Sequence, residues 1–471
     1  MEALKTQVEE VFALQRDYFL NTLKSAPISV RKNKLKRLKK WIVSSQDAII
    51  EALQKDFGKP AFETKMTEIY PVMSAIKHTI SHMDGWARDE SKEASMAFLF
   101  TRSKVVKEPK GVSLIISPWN YPFILAVDPL ISAVAAGCTA IIKPSENTPH
   151  TSQLIENMVK EVFEEKEVAV FQGDAEVAKH LQSLKFNHVF FTGSPAVGKL
   201  VMKAAAEHLT SVTLELGGTN PAVVDETAQL KDAAEKILWA KTMNAGQTCI
   251  SVNEIYVHES VKDKLIQAFG DAQKKLFPDG ISIGENMACI VNQNHFERVS
   301  RLLESAKKDG GTVVFGGKIE ADKRWIGATL LDNVPKESAI KQEEIFGPLV
   351  TLTSYTDLNA VISQINAQPI PLAAYIFTKS RTSRNTFLNG VQAGTTCVNE
   401  TTIQFAHPDL PFGGHGNSGV GKGHGYYGFL EFTNQRSELK QRTGFTSAKL
   451  IYPPYDRKWK QKLADLFIRW F

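Results

Sequence analysis

Apolar residues recur at two different spacings along this chain. Between Leu4 and about Arg88 they return every three to four positions, as at Val8 and Val11, which is the spacing of amphipathic helices. Pro27 and Pro60 interrupt this stretch, so it predicts several consecutive helices.

The next hundred residues alternate between short runs of β-branched or aromatic residues and longer amphipathic runs. The predicted strands are VSLII, TAIIK, VAVFQ, HVFFT and VTLEL, and the predicted helices cover 122–136, 151–163, 175–184 and 195–207. Strands that alternate with helices are typical of parallel sheets with helical crossovers. This part of the chain is therefore expected to form a doubly wound α/β sheet.

The same alternation starts again at about residue 218. A helix over 230–242 is followed by the strand EIYVH, and similar segments continue to about residue 416. The sequence thus predicts a second α/β domain. Residues 97–108 have the composition of a strand and are expected to extend from the main body as a hairpin.

Composition excludes only a few classes of function. The 56 basic and 51 acidic residues give a net charge of +5, which gives little support to nucleic-acid binding. Four cysteines lie far apart without a CxxC pair, which indicates a reducing compartment and no zinc site. The N-terminus does not resemble a secretory signal and no run of about 20 apolar residues occurs, so we expect a cytoplasmic protein without a membrane span.

Two basic segments could be binding sites. The first, RKNKLKRLKK at 31–40, is compatible with a polyanion or nuclear-import signal, but Leu35, Leu38 and Ile42 form one apolar stripe, which favours the solvated face of an amphipathic helix. The second, residues 457–471, combines five basic residues with several large apolar ones. It predicts an amphipathic helix that contacts a membrane surface, packs on a partner subunit or covers a site.

Cys249 in NAGQTCIS and Glu215 in LELGG both lie in glycine-marked turns. A thiol is the side-chain nucleophile that needs least activation at neutral pH, and a carboxylate can act as a general base. The pair therefore indicates covalent thiol catalysis. Taken singly, the cysteine is compatible with a small buried apolar residue and the glutamate with a solvated charge.

The segment HVFFTGSPAVGKL has the pattern of a strand, a turn and a helix start. Ser194 is expected at the N-cap and Pro195 at the first helical position, where free backbone N–H groups favour a phosphate. The segment also fits GxxxxGK, but Leu200 stands where a nucleotide triphosphatase needs Ser or Thr. Another pattern, GxGxxG at 414–419, follows no strand and is interpreted as a turn-rich loop.

Seven blocks in the chain resemble the aldehyde dehydrogenase superfamily. They are ISPWNYP at 116–122, KPSE at 143–146, FFTGSPAVGK at 190–199, LELGG at 214–218, GQTC at 246–249, EEIFGP at 343–348 and LPFGGHGNSG at 410–419. The residues of these motifs are most similar to those of the class 3 branch, whose members favour aromatic and medium-to-long aliphatic aldehydes. The resemblance implies oxidation of such an aldehyde to its carboxylic acid.

The resemblance also implies a domain plan and a homodimer. An NAD(P)-binding domain would comprise 1–96 and 110–217, and a catalytic domain 218–416 would carry the nucleophile. A small β oligomerisation arm would comprise 97–109 and 425–445, followed by an amphipathic tail, 446–471.

The matching motif positions give each candidate site residue an expected role. Cys249 would attack the aldehyde, Asn120 would bind the oxyanion, and Glu215 would activate the water that releases the acid. An alternative for Asn120 is a cap on the helix that begins near Pro122. The expected cofactor contacts are Ser117, Pro118, Trp119, Lys143, Glu146, Gly193, Ser194, Gly198, Leu216, Gly217, Glu344 and Phe346. The expected substrate pocket includes Tyr121, Phe405 and His415, and no metal is expected.

NAD is the expected cofactor, because a carboxylate at Glu146 would accept hydrogen bonds from a free ribose hydroxyl and repel a 2′-phosphate. NADP is also a candidate cofactor, because the positive charge of Lys143 would offset part of that repulsion. Two other functions also stay open. One is an acylating enzyme that uses coenzyme A, which the Glu215 motif disfavours, and the other is a binding protein without turnover.

Overall fold

The N-terminal region is helical, as its apolar spacing predicts. The computed structural model of the chain describes residues 2–93, 98, 100–444 and 446–470, without the side chain of residue 470. Five helices come first, and two strands follow: α1 (Glu2–Asn21), α2 (Ile28–Ser44), α3 (Gln46–Phe57), α4 (Ala61–Thr64), α5 (Tyr70–Trp86), β1 (Glu90–Lys92) and β2 (Thr101–Pro109). A π-helical turn, Lys65–Ile69, joins α4 to α5.

The basic run at 31–40 lies on α2 and is only partly solvated. The apolar stripe Leu35, Leu38 and Ile42 is fully buried, as expected of an amphipathic helix. Lys34 is buried as well, and its ammonium group lies 2.7 Å from a carboxylate oxygen of Glu167. Part of the basic charge of α2 therefore fixes the helix to the protein body.

The predicted α/β alternation forms a parallel sheet. Its elements are β3 (Val112–Ile116), α6 (Ile124–Ala136), β4 (Thr139–Lys143), α7 (Pro149–Val162), β5 (Val168–Val170), α8 (Ala175–Gln182), β6 (His188–Gly193), α9 (Pro195–Ala206) and β7 (Ser211–Leu216). The strands lie side by side in the order β7-β6-β3-β4-β5, and every pair is parallel. The expected doubly wound α/β fold is confirmed.

Helices cover both faces of this sheet because alternate strand residues point to opposite sides. Leu114 packs in a core with α1, α8 and α9, whereas its neighbour Ile115 packs in a core with α2, α5 and α6. The carboxyl ends of the five strands are left as one continuous edge of the sheet, where doubly wound folds bind their ligands.

The second half of the chain builds another α/β layer. Its elements are β8 (Asn220–Val224), α10 (Leu230–Thr242), β9 (Val252–His258), α11 (Lys262–Leu276), α12 (Gln293–Lys308), β10 (Thr312–Phe315), β11 (Ile319–Glu320), β12 (Trp325–Ile326), β13 (Thr329–Asp332), α13 (Ala339–Gln342), β14 (Leu349–Tyr355), α14 (Leu358–Asn366), β15 (Ala373–Phe377), α15 (Arg381–Gly390) and β16 (Thr395–Val398). Seven strands form a sheet in the order β10-β13-β14-β9-β8-β15-β16, in which only the β10–β13 pair is antiparallel.

The last part of the chain adds a short strand to the first sheet, then a strand to a third sheet, and ends in a helix. Its elements are β17 (Gly419–Val420), α16 (Gly425–Glu431), β18 (Thr433–Gln441) and α17 (Lys458–Trp470). β17 pairs antiparallel with β7, and β18 pairs along its whole length with β2. The three-stranded antiparallel sheet β1-β2-β18 lies apart from the two larger sheets.

The segments expected to form the arm, 97–109 and 425–445, contain both strands and a helix. Within 97–109 the strand begins at Thr101, and residues 97 and 99 lie outside the described residues. Within 425–445, the stretch 425–431 is a helix whose Phe429 is buried in the core of the first sheet. We therefore propose that the arm consists of β1, β2 and β18, and that α16 belongs to the first α/β domain.

The C-terminal helix α17 is amphipathic and largely exposed. Trp459, Phe467 and Ile468 are 53%, 47% and 77% exposed. Across the described ranges, none of the helices has the length and apolar content needed to cross a membrane.

Candidate active site

A mostly apolar cavity of about 290 Å3 lies where the two large sheets meet. The first sheet contributes Thr192, Glu215 and Leu216, and the second half contributes Cys249 and Ile250. The remaining lining residues are Met66, Thr67, Tyr70, Pro71, Tyr121, Leu125, Trp239, Met243, Thr248, Leu372, Thr402, Ile403, Phe405, Ala406 and Phe412. The predicted nucleophile and the predicted base therefore face the same cavity.

Cys249 is carried by a sharply turned loop between α10 and β9. Asn244 and Ala245 both have φ of 52°, which is uncommon for residues other than glycine. Gly246 also has positive φ, and a Cβ there would lie 2.3 Å from the carbonyl oxygen of Gly347. The glycine of GQTC is thus required by a close backbone approach.

The Cys249 thiol is partly buried and carries a proton at rest. Burial is the largest cause that raises its pKa, and the carboxyl groups of Glu344 and Glu215 raise it further in their ionised forms. A base must therefore take the proton when sulfur attacks, and Glu215 is a carboxylate in the same cavity.

The N-terminal helices anchor the loop that carries Cys249. The Asn244 backbone N–H donates to Glu63 Oε1 at 2.8 Å, and its side-chain amide donates to the Asn120 carbonyl at 2.7 Å. Close by, fully buried Lys59 and Glu68 form an ion pair of 2.9 Å. No local pattern predicts this role for Glu63, because the glutamate lies 181 positions from the asparagine that it holds.

Asn120 is buried beside the nucleophile's loop. Its side-chain amide donates to the carbonyl oxygen of Gln247 at 3.1 Å. The helix-cap alternative is wrong, since α6 begins at Ile124 and the carboxylate of Glu68 accepts the Ile124 N–H at 2.9 Å. Asn120 is therefore joined to the loop of Cys249 rather than to α6.

Glu215 lies near the end of β7 against the Lys422–His424 turn. Burial raises the pKa of its carboxyl to about 7, although the positive charges of His424 and Lys422 act in the opposite direction. A Cβ on Gly423 would lie 2.7 Å from Glu215 Oε1, so a larger residue there would displace the carboxylate. A carboxyl that titrates near neutral pH suits general base catalysis.

Most of the predicted cofactor residues lie at the carboxyl edge of the first sheet. Ser117 follows β3, Lys143 ends β4, Gly193 ends β6 and Leu216 ends β7. The Ser117 hydroxyl is buried and has no hydrogen-bond partner in the described part of the chain. Pro118 and Trp119 come next in the same loop, and the Trp119 ring contacts Phe346 edge-on with 5.3 Å between centroids.

The helix start at Ser194 has the geometry of an anion site. Its side chain accepts the Val197 N–H at 3.4 Å, and Pro195 is the first residue of α9. A Cβ on Gly198 would lie 2.7 Å from a Leu216 methyl carbon, so the glycine lets α9 pack closely on β7. Free N–H groups at the end of a helix favour a phosphate, and these residues fit a dinucleotide.

Lys143 and Glu146 form an ion pair of 2.5 Å on the same edge. The lysine is almost buried, whereas the glutamate side chain is half exposed. An ammonium group this close offsets the negative charge of Glu146. The pair can therefore accept a ribose hydroxyl without strongly repelling a phosphate.

Glu344 and Lys241 face each other without being bonded. A Cβ on Gly217 would lie 2.1 Å from Glu344 Oε2, so the carboxyl lies directly on that glycine. Burial raises the pKa of Glu344 to about 8 and lowers that of Lys241 to about 7. Glu344 Oε1 and Lys241 Nζ both lack a hydrogen-bond partner within the described residues. Hydroxyl groups of a bound ribose would satisfy them.

The predicted substrate pocket is partly corrected. Tyr121 and Phe405 line the cavity, and the Tyr121 hydroxyl lies 2.9 Å from the Thr248 hydroxyl. His415 is exposed and is not among the lining residues, because it lies in the turn before β17. This turn is the loop expected for 414–419. The described residues include no cluster of three metal-ligating side chains.

Comparison with known proteins agrees with this arrangement. The model of the aldehyde dehydrogenase family matches residues 1–437. A 4,4'-diaponeurosporen-aldehyde dehydrogenase of Staphylococcus aureus is 42% identical over 442 residues, which cover 94% of this chain and 95% of the relative. The aldehyde dehydrogenase family 3 comG of Dictyostelium discoideum is 37% identical, with 93% of each chain covered.

A solved structure, the substrate-bound state of AldH from Staphylococcus aureus, superposes with a TM-score of 0.92 at 41% identity. The match covers 98% of this chain and 99% of that one. The family model, the relatives and the fold agree along nearly the whole sequence. The chain therefore belongs to the aldehyde dehydrogenase family, with relatives in its class 3 branch.

Proposed function

We propose that this chain oxidises an apolar aldehyde to its carboxylic acid with NAD(P), using Cys249 as the nucleophile and Glu215 as the base. The observation that carries the proposal is the shared cavity, which brings the thiol and the carboxylate from two different sheets to one apolar space. Because the lining is aromatic and aliphatic, it favours aromatic or medium-to-long aliphatic aldehydes over small polar ones.

The first half of the reaction forms a thioester on Cys249. The thiol proton passes to the Glu215 carboxylate as sulfur bonds to the carbonyl carbon, and negative charge develops on the former carbonyl oxygen. The amide of Asn120 and the backbone N–H of Cys249 donate to that oxygen. The bound dinucleotide supplies the hydride acceptor. When the oxyanion collapses, the carbon keeps its bond to sulfur and loses hydride.

The second half releases the acid and restores the thiol. Once the proton from the thiol has passed to solvent, Glu215 takes a proton from water as the water oxygen adds to the thioester carbon. The carbon–sulfur bond then breaks, and Glu215 returns its proton to the sulfur that leaves. A hydrolytic base in the cavity supports water as the acyl acceptor and disfavours coenzyme A. A thiol and a base in one cavity, with the Asn120 amide bonded to the loop that carries the thiol, likewise disfavour a binding protein without turnover.

The cofactor is proposed to be NAD, with NADP accepted more weakly. Ser117, Gly193 and Ser194 would hold the phosphates. Glu146 would bind the adenosine ribose, beside Lys143. Glu344 and Phe346 would contact the nicotinamide ribose. The orphaned oxygen of Glu344 and the hydroxyl of Ser117 support this assignment.

Reduced dinucleotide should form when the protein is mixed with NAD and an aldehyde, without coenzyme A. Across straight-chain aldehydes, kcat/KM is expected to rise about fourfold per methylene while the cavity is filling, because each buried CH2 contributes about 0.8 kcal/mol. The measurement is absorbance of the reduced nicotinamide across graded aliphatic and aromatic aldehydes, with NAD or NADP. Activity only in the presence of coenzyme A would contradict the hydrolytic assignment.

We also propose a cytoplasmic homodimer joined through the three-stranded sheet, with α17 in contact with a membrane surface. β18 lies at the edge of that sheet, where unpaired backbone groups can pair with another chain. Five basic residues and exposed Trp459 and Phe467 support the membrane contact. No cavity-lining residue within the described ranges comes from α17, which disfavours a cover over the site in the same chain.

Deletion of residues 457–471 should abolish cosedimentation with vesicles that contain anionic lipid and leave the dimer mass unchanged. The reason is that the deletion removes the basic and apolar face of α17 but leaves β18 intact. The control is the full chain with uncharged vesicles, which should bind more weakly. Sedimentation that survives the deletion would exclude the membrane contact, and a fall in mass to a monomer would assign the helix to the subunit interface.

A further inference from the structure

A buried histidine and aspartate lie next to Glu215 and have no part in the mechanism above. His424 Nδ1 lies 3.2 Å from Asp128 Oδ2, and the two side chains are only 12% and 13% exposed. Asp128 comes from α6, whereas His424 directly precedes α16. Three segments far apart in sequence therefore bring two carboxyl groups and one imidazole together.

The backbone holds His424 in an unusual conformation. Its φ is 67°, which is rare for a residue with a side chain and often marks functional sites. The edges of Phe405 and Phe412 contact its ring, with centroids 4.5 and 5.4 Å away. The preceding residue, Gly423, lies directly against the base, since a Cβ there would lie 2.7 Å from Glu215 Oε1. One turn thus fixes the imidazole and the carboxylate of the base together.

Charged groups from several elements face this turn. Besides His424 and Asp128, Glu215 faces Lys422, whose ammonium group donates to the carbonyl oxygen of Gly414 at 2.9 Å. His78 of α5 lines the same small cavity as His424. Its imidazole lies 3.3 Å from exposed Asp409.

The surroundings of His424 favour a protonated ring. Burial lowers the pKa of this imidazole, but the nearby charges of Asp128 and Glu215 raise it by more, so the pKa lies above its usual value. For Glu215, burial raises the pKa to about 7, and His424 is the largest influence that opposes this rise. The imidazolium and Glu215 therefore stabilise each other's charge.

We propose that His424, held by Asp128, is a positioning residue whose imidazolium keeps the Glu215 carboxylate ionised for thioester hydrolysis. The inference rests on the proposed role of Glu215 as the base. His424 touches neither substrate nor cofactor in this scheme, and it acts only through Glu215.

The test is the pH profile of acyl-enzyme hydrolysis, followed by rapid quench, in His424→Asn. Loss of the His424 imidazolium should move the acidic limb of the pH profile upward by about one pH unit. Hydrolysis should then be about fivefold slower at pH 7 and nearly unchanged at pH 9, because Glu215 is ionised again at the higher pH. The burst of reduced dinucleotide should keep its amplitude. Equal losses at both pH values would overturn the proposal.

A second substitution separates charge from structure. His424→Asn leaves Asp128 as an unpaired negative charge near Glu215, so His424→Asn/Asp128→Asn should recover most of the lost rate at pH 7. A purely structural role predicts that the double variant is at least as impaired as the single one, and this outcome overturns the proposal. If His424→Asn does not fold, as judged by thermal melting, His424→Gln makes the same change of charge.

Two further variants complete the design. His78→Gln alters a histidine of the same small cavity and should leave the profile unchanged. Glu215→Gln distinguishes failure of the inference about His424 from failure of the proposed base. If Glu215→Gln hydrolyses the thioester slowly, while the pH profile of His424→Asn is the same as that of the unmodified chain, only the inference about His424 is wrong. If Glu215→Gln hydrolyses at the normal rate, the role of Glu215 as the base is wrong, and the inference falls with it.

Discussion

Cys249→Ala is expected to abolish aldehyde oxidation while dinucleotide binding persists. The side chain supplies the sulfur of the thioester, and no other group in the cavity can replace it, so kcat should fall by about 10^6-fold, as for other nucleophile deletions. Stopped-flow absorbance measures the reduced dinucleotide, and titration calorimetry measures its binding. A methyl group in place of the thiol leaves the predicted phosphate and ribose contacts intact.

Cys397→Ala is the matched control for this experiment. Cys397 is also partly buried and lies on β16, where its thiol contacts the side-chain oxygen of Gln404. Its loss should leave turnover near that of the unmodified chain. Normal turnover by Cys249→Ala, or loss of turnover in Cys397→Ala alone, would mean that the nucleophile has been misassigned.

Glu215→Gln should separate the two halves of the reaction. The amide has the same shape as the carboxyl group but cannot take a proton from water, so hydrolysis should slow by about 10^2 to 10^4-fold. Reduced dinucleotide should then appear as a burst of up to one per site, followed by very slow turnover. Acylation should also slow where it depends on transfer of the thiol proton, but by less.

The same experiment has a pH signature. Burial raises the pKa of Glu215 to about 7, so the ionised base is lost as the pH falls through that value. Hydrolysis by the unmodified chain should therefore rise between pH 6 and 8, whereas Glu215→Gln should show no such limb. If Glu215→Gln keeps the acidic limb of the pH profile, that limb belongs to another group.

Asn120→Ala is the comparison variant. Both halves of the reaction should slow by about 10^2 to 10^3-fold, because both pass through an oxyanion.

Local pattern was enough to predict the strands and helices of the first sheet. The strand VSLII occupies the predicted residues, and Ser194 caps α9 as expected, because both depend on neighbours within a few positions. The family motifs likewise pointed to Cys249 and Glu215, which the fold brings to one cavity. Features of this kind are encoded in short segments.

Contacts between distant segments could not be predicted. Glu68, rather than Asn120, caps α6, and the two partners lie 56 positions apart. His415 was expected at the pocket, yet the turn before β17 exposes it. No sequence pattern predicts the burial of Lys241 either, because one lysine in a helix is normally a solvated charge. Its burial against Glu344 depends on how α10 meets the segment that follows α13.

The link between Glu63 and Asn244 has a consequence for recombination with related enzymes. A crossover placed between the N-terminal helices and the segment 244–249 would separate the carboxylate from the backbone amide that it holds. Chimeras that inherit both parts from one parent should keep the thiol in place. Those that mix parents without a matching acid at position 63 would bury an unsatisfied N–H in the loop that carries the reacting sulfur.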